Sequence, residues 1–273
     1  MFLSSCRKAV DTFAPQIGRS YRLFRDTTNR KRSIQTAYGF SLAGDPAMAA
    51  DGWEAEEVKT FVELMKAHDF VLDIGANVGF YSCLAASRGM HTIAIEPSAR
   101  NLAFLYRNLW ENRLTNVEIF PVGLAGQCGL GRIYGFGGIS SFVRGWAQAG
   151  EKQSSLVPLT TLDTIAAGRF QNRKLLIKMD VEGFELDVLA GAVKTLNLNP
   201  KPTWLVEILL NGEVIPGGVN STFYEAFEVF WKAGYCGRKL DAARTPVTKA
   251  DVGRWIANGF VDSETHDFLF SAD

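Results

Sequence analysis

Few folds accommodate the run Val71-Leu72-Asp73-Ile74-Gly75-Ala76-Asn77-Val78-Gly79-Phe80. Its apolar half reads as a buried strand, its glycines as a tight turn, and Phe80 as the opening of a helix. Gly75 permits the turn because no Cβ stands in the way. Gly79 lets the following helix sit close to a ligand. The start of that helix aims unsatisfied N–H groups at whatever lies before the turn. A second strand over 91–96 follows and ends in Glu96. An acid at that strand end can accept both hydroxyls of a ribose. Together these features propose a nucleoside-containing cofactor.

The spacing narrows the choice. A dinucleotide site uses G-x-G-x-x-G, whereas this chain has D-x-G-x-x-x-G. Pyrophosphate needs its closely spaced glycines for backbone approach. The wider spacing suits S-adenosylmethionine, whose amino-acid end lies along the turn while its ribose reaches Glu96. Asp73, at the first strand's end, would hold turn amides or the cofactor's ammonium. An ordinary strand–loop–helix junction and a nicotinamide site are the alternatives.

Periodicity extends the pattern along the chain. Helices are expected over 53–66, with Val58, Phe61, Val62 and Met65 on one face, and over 80–88 and 99–112. In the last of these, Leu102, Leu105, Tyr106 and Leu109 share a side. A third strand covers 117–122. The glycine-dense stretch 123–150, carrying Ile133, Tyr134, Phe136, Ile139, Phe142 and Trp146, reads either as a flexible surface loop or as an acceptor-binding lid. A strand at 156–159 pairs back onto it. The apolar run 174–179, broken only by Lys178, is a buried central strand. A helix over 184–196 follows, with Leu186, Leu189, Val193 and Leu196 inward. Further strands fall at 204–210, 235–238 and 266–270, the last two forming an antiparallel edge, with helices at 223–233 and 248–257. This alternation predicts an α/β fold built on a doubly wound, mainly parallel sheet. Ligands then bind at the carboxyl ends of the strands, where Asp73, Glu96, Asp180 and Glu207 converge.

Residues 1–50 read as an N-terminal extension, with a helix near 5–26 and a hairpin-like piece at 36–42, ahead of a domain over 51–273. The extension carries Arg7, Lys8, Arg19, Arg22, Arg25, Arg30, Lys31 and Arg32 against Asp11 and Asp26. It reads as a solvated basic helix, with a peripheral membrane contact or a transit peptide as alternatives. The whole chain balances 29 Lys+Arg against 29 Asp+Glu, which argues against bulk binding of nucleic acid. No apolar run is long enough to span a membrane. Cys6, Cys83, Cys128 and Cys236 lack metal-type spacing and read as free thiols of a reducing, cytoplasmic setting. His68, His91 and His266 form no zinc pattern.

Three stretches carry a resemblance to a known family. They are 71–81 with Glu96-Pro97, Leu159-Thr160-Thr161-Leu162-Asp163, and Leu176-Ile177-Lys178-Met179-Asp180-Val181-Glu182-Gly183-Phe184-Glu185 continuing into Val188-Leu189-Ala190-Gly191-Ala192. On these the chain resembles the FkbM family of class I S-adenosylmethionine-dependent methyltransferases over roughly residues 50–270. The resemblance implies a seven-stranded sheet with an antiparallel last strand. It also implies methyl transfer to a hydroxyl oxygen of a polyketide, a surface sugar or another secondary metabolite. The cofactor is expected along Asp73, Gly75, Ala76, Asn77, Gly79, Phe80, Glu96, Pro97, Gly123 and Asp180.

Methyl transfer from a sulfonium needs positioning and a proton acceptor. Asp180, Glu182, Lys178 and Glu207 are the candidates for catalysis. Asp180 serves as base or cofactor contact, and buried Lys178 pairs with Asp180 or Glu182 or lowers the acceptor's pKa. Glu185 reads as a first-turn helix carboxylate and Asp163 as structural. Asp180, Glu182 and Glu207 could instead hold Mg²⁺, but no spacing demands a metal and none is expected. Two other readings compete. One is a methyltransferase-fold module that binds a protein partner without catalysis. The other is an RNA methyltransferase, which the sequence after the fourth strand does not favour.

Overall fold

The computed structural model describes residues 32–272 apart from 136 and 264, and the chain divides into two compact units, Met1–Trp53 and Glu54–Asp273. The helix expected near 5–26 lies outside the described residues. In the first unit, β1 (Ile34–Gln35) pairs antiparallel with β2 (Ser41–Leu42). Both the Thr36 N–H and its hydroxyl donate to Phe40 O, closing the turn between them.

The second unit is an α/β sandwich. Its helices are α1 (Ala55–Met65), α2 (Phe80–Ala86), α3 (Ala99–Glu111), α4 (Leu162–Ala166), α5 (Glu185–Ala190), α6 (Phe223–Lys232) and α7 (Lys249–Asn258). Its strands are β3 (Phe70–Ile74), β4 (His91–Ile95), β5 (Val117–Phe120), β6 (Gly123–Leu124), β7 (Gly129–Tyr134), β8 (Ser154–Thr160), β9 (Leu175–Met179), β10 (Thr203–Glu207), β11 (Cys236–Lys239), β12 (Pro246–Val247) and β13 (Asp267–Ser271). The main sheet has eight strands in the order β12-β11-β13-β10-β9-β3-β4-β5. It comprises the seven expected strands and the two-residue edge β12. From β10 to β5 all pairings are parallel.

The expected antiparallel edge is present, formed by β11 and β13. β13 is antiparallel to both neighbours and lies between β10 and β11. Phe268-Leu269-Phe270 explains this, because a continuous apolar run suits a strand covered on both faces. The polar β11 is left nearer the edge. α6 covers β13, with the Phe227 ring 4.8 Å from Phe268 and the Phe230 ring stacked 3.9 Å from Phe270.

A difference from expectation lies after β9. The helix expected over 184–196 stops at Ala190. Gly191 packs so tightly that a Cβ there would lie 2.2 Å from Ala125 O. Beyond this break the helical register is lost. Val193 is 60% exposed and Leu186 half-buried, while Val188, Leu189 and Leu196 enter the core.

The stretch after β5 is ordered. β8 pairs antiparallel with β7 and parallel with β6, giving a separate three-stranded sheet. The segment between β7 and β8, including Gly137 to Phe142, folds over the carboxyl ends of the main sheet. The strand order reverses between β9 and β3, so the crevice at a topological switch point opens there.

Candidate functional site

Gly75 leaves β3 with φ +81°, and a Cβ on it would sit 1.8 Å from Asp180 O. The turn therefore presses against the end of β9, which only glycine allows. Gly75 and Ala76 donate their N–H groups to Ile95 O at 2.9 and 3.0 Å, tying the turn to β4. Asn77, also left-handed at φ +51°, donates its N–H to Glu96 Oε2 at 2.8 Å. Glu96 Oε1 accepts from the Ser98 N–H at 2.7 Å and from Asn101 Nδ2 at 3.3 Å. Glu96 is 4% exposed, and burial pushes its carboxyl up to about 7 against these hydrogen bonds. Oε1 thus uses both of its lone-pair sites, and Oε2 keeps one for a further donor.

These groups line one cavity. Of the predicted cofactor residues, Gly75, Asn77, Glu96, Pro97, Gly123 and Asp180 face it. Val122, Ile133, Phe142 and Phe184 add an apolar wall, with the two phenyl rings 5.1 Å apart. Gly123 lets the Phe142 ring come close, since a Cβ there would meet it at 2.4 Å. Asp73, Ala76, Gly79 and Phe80 do not line the cavity. Asp73 is 2% exposed, accepts from Ser82 Oγ at 2.5 Å, and is raised by burial to about 6. It ties α2 to β3. Gly79 makes room for α3 rather than for a ligand, because a Cβ there would strike Leu105 Cδ1 at 2.4 Å.

The acids converge beside the cavity. Asp180, Glu182 and Glu207 each bring one carboxylate oxygen within 4.8 Å of the other two. The Asp180 N–H bonds Ile74 O at 3.0 Å, and Glu182 turns back with φ +55°. Burial and then the Asp180 charge raise Glu182 to about 9. Burial, Asp180 and Asp267 hold Glu207 well above the ordinary carboxylate range. Lys178 departs from its expected pairing. Its Nζ lies 2.8 Å from Asp267 Oδ1, deep in the protein, and 5.3 Å over the Tyr81 ring. It bonds neither Asp180 nor Glu182, because β13 brings Asp267 opposite Glu207 on the same face of the sheet. Burial alone would lower Lys178, but Asp267, Asp180, Glu54 and Glu207 outweigh it and hold the ammonium charged. Glu54 accepts from the Tyr81 hydroxyl at 2.7 Å, and burial lifts it to about 7.

Glu185 Oε1 accepts the Gly183 N–H at 2.8 Å in the first turn of α5. Asp163 binds the Lys194 and Thr195 N–H groups at 2.8 Å, a structural role. Sequence reasoning missed Asn101, Asp267 and the part Trp146 plays. Trp146 is 1% exposed and covers Gly183, where a Cβ would meet its ring at 2.4 Å. Asn101 was signalled by its place in the first turn of the helix after Glu96. Asp267 had no local signal.

Comparison with known proteins adds the following. The profile of the Methyltransferase FkbM domain family matches residues 73–235. No curated protein matches the chain. Among solved structures, a methyltransferase FkbM from Methylobacillus flagellatus is 18% identical with a TM-score of 0.36, over 71% of this chain and 50% of that one. The chain thus spans about half the length of that structure. A precorrin-6y C5,15-methyltransferase from Geobacter metallireducens is 14% identical, covering 85% and 91% of the two chains with a TM-score of 0.42. A TehB-like SAM-dependent methyltransferase from Corynebacterium glutamicum is 10% identical, covering 80% and 88% with a TM-score of 0.43.

Proposed function

The chain belongs to the Methyltransferase FkbM domain family, and on that premise we propose that it uses S-adenosylmethionine to methylate a hydroxyl oxygen of a glycan or secondary metabolite in the cytoplasm. One observation carries this reading. Glu96, at the end of β4, lines the same cavity as the Gly75 turn and Asp180, so a ribose acceptor and an acid cluster share one space. The residues fit the cofactor. The turn, whose Gly75 and Asn77 face the cavity, would take its amino-acid end. Glu96 accepts its ribose hydroxyls, and Val122, Gly123 and Phe142 supply an apolar wall for its base.

When bound, S-adenosylmethionine supplies an electrophilic methyl group on sulfonium. The chain's own residues orient the partners for in-line displacement and remove a proton. Asp180, Glu182 and Glu207 are where the acceptor hydroxyl loses that proton, either directly to a carboxylate or with help from a bound cation. Lys178 acts as a positioning residue, keeping β9 and β13 in register beneath the acids. Asp180→Asn should lower kcat by about 100-fold or more and leave affinity for S-adenosylhomocysteine within a few-fold. Turnover with labelled cofactor and calorimetry on the same variant test this. Equal losses in both would make Asp180 a cofactor contact instead.

A further inference from the structure

The acid cluster raises a question of charge. Asp180 follows β9, Glu182 sits on the next turn, and Glu207 ends β10, with one oxygen of each within 4.8 Å of the others. Three carboxylates this close repel one another unless protons or a cation lie between them. Lys178 is the ammonium whose field reaches all three, and it is held by Asp267 at 2.8 Å.

One further side chain brings an unbonded acceptor to the cluster. Glu185 is 2% exposed, interacts electrostatically with Asp180 and Glu182, and keeps Oε2 without a hydrogen bond. Asp180 Oδ1 is itself buried and without a partner. Buried acceptors left this way in a native fold call for a donor or an ion.

We propose that Asp180, Glu182 and Glu207 bind a hard divalent cation of the Mg²⁺ or Mn²⁺ class. The donor set consists of carboxylate oxygens with no imidazole or thiolate, the chemistry that hard cations take. Three protein oxygens leave positions free for water and for an acceptor oxygen. The cation's role rests on the methyltransferase reading: it holds the acceptor hydroxyl and favours loss of its proton as the C–O bond forms and the C–S bond breaks. Its binding does not depend on that reading.

The test uses full-length protein stripped with EDTA and titrated with MnCl₂, followed by electron paramagnetic resonance and calorimetry. One Mn²⁺ per chain is expected, displaced by Mg²⁺. Glu207→Gln should weaken binding more than tenfold, at least the loss that removal of an outer-shell partner causes. Glu182→Gln gives the same readout should Glu207→Gln fail to fold. Glu228→Gln, on the exposed face of α6, should leave Mn²⁺ affinity unchanged. Absence of Mn²⁺ binding, or equal binding by Glu182→Gln and the parent, overturns the proposal. Titration with S-adenosylhomocysteine separates the two readings. A protein that binds Mn²⁺ through these acids but no S-adenosylhomocysteine keeps the cation site and loses the cofactor assignment.

Discussion

At the scale of the residue, Glu96 holds the most testable chemistry. Its carboxyl is raised to about 7 by burial, and Asp73 and Glu54 are raised by burial to about 6 and about 7. The folded, ligand-free protein keeps these protons at pH values where the unfolded chain has released them. The native state therefore binds more protons between the unfolded and folded pKa values, and stability falls as pH rises through that window. Thermal unfolding of ligand-free protein should show a higher Tm near pH 5.5 than near pH 8. Ligand affinity should run the other way, because Glu96 accepts ribose hydroxyls best when ionised. Affinity for S-adenosylhomocysteine should rise up to about pH 7.5 and then level off. Glu96→Gln should flatten that rise and weaken binding by roughly 10- to 100-fold, the worth of a hydrogen bond to a charged group. An unchanged pH profile in calorimetry would remove Glu96 from the ribose site. This residue was legible in the sequence because its signal is local: an acid closing the apolar strand that follows the glycine turn and its helix. Gly79 shows the limit of such reading. Its glycine was apparent, but the neighbour requiring it, Leu105, comes from a helix two elements away.

At the scale of the element, the pairing of β9 with β10 and of β10 with β13 assembles the acid face. Lys178 and Asp267 are 89 residues apart in sequence and meet because β13 inserts antiparallel beside β10. No local spacing could announce this, so the sequence offered Asp180 or Glu182 as the partner. A buried charge is costly once its partner is gone. Lys178→Met should destabilise the protein by about 3–5 kcal/mol in chemical denaturation, leaving Asp267 buried alone. Lys178→Met with Asp267→Leu should recover most of that loss. Failure of the double variant to recover would mean that the ammonium is needed by the neighbouring acids rather than by Asp267. The 123–160 region was only half legible. Its glycines marked turns, but the three-stranded sheet depends on β8 reaching both β6 and β7. The same holds for α5, whose apolar spacing ran on past Gly191 while close packing against Ala125 ended the helix.

At the scale of the whole molecule, the parallel order from β10 to β5 and the reversal between β9 and β3 put the carboxyl ends of several strands around one crevice. Alternating apolar runs and amphipathic helices announced this architecture, because each period maps onto one buried face. The polar wall of the crevice was readable where an acid closes a strand, as at Glu96 and Asp180. Its apolar wall was half readable, because the glycine-dense stretch that carries Ile133 and Phe142 read equally as a surface loop or as a lid, and the folding back of β7 and the segment after it decides between them. Among the described residues no helix is long and apolar enough to cross a membrane. The account stands on the crevice being a nucleoside–amino-acid site. Calorimetric titration of the purified protein with S-adenosylhomocysteine, with NAD as control, tests this most directly. Micromolar binding of the first, at one molecule per chain, with none of the second is the expected result. Binding of NAD, or of neither ligand, would contradict it.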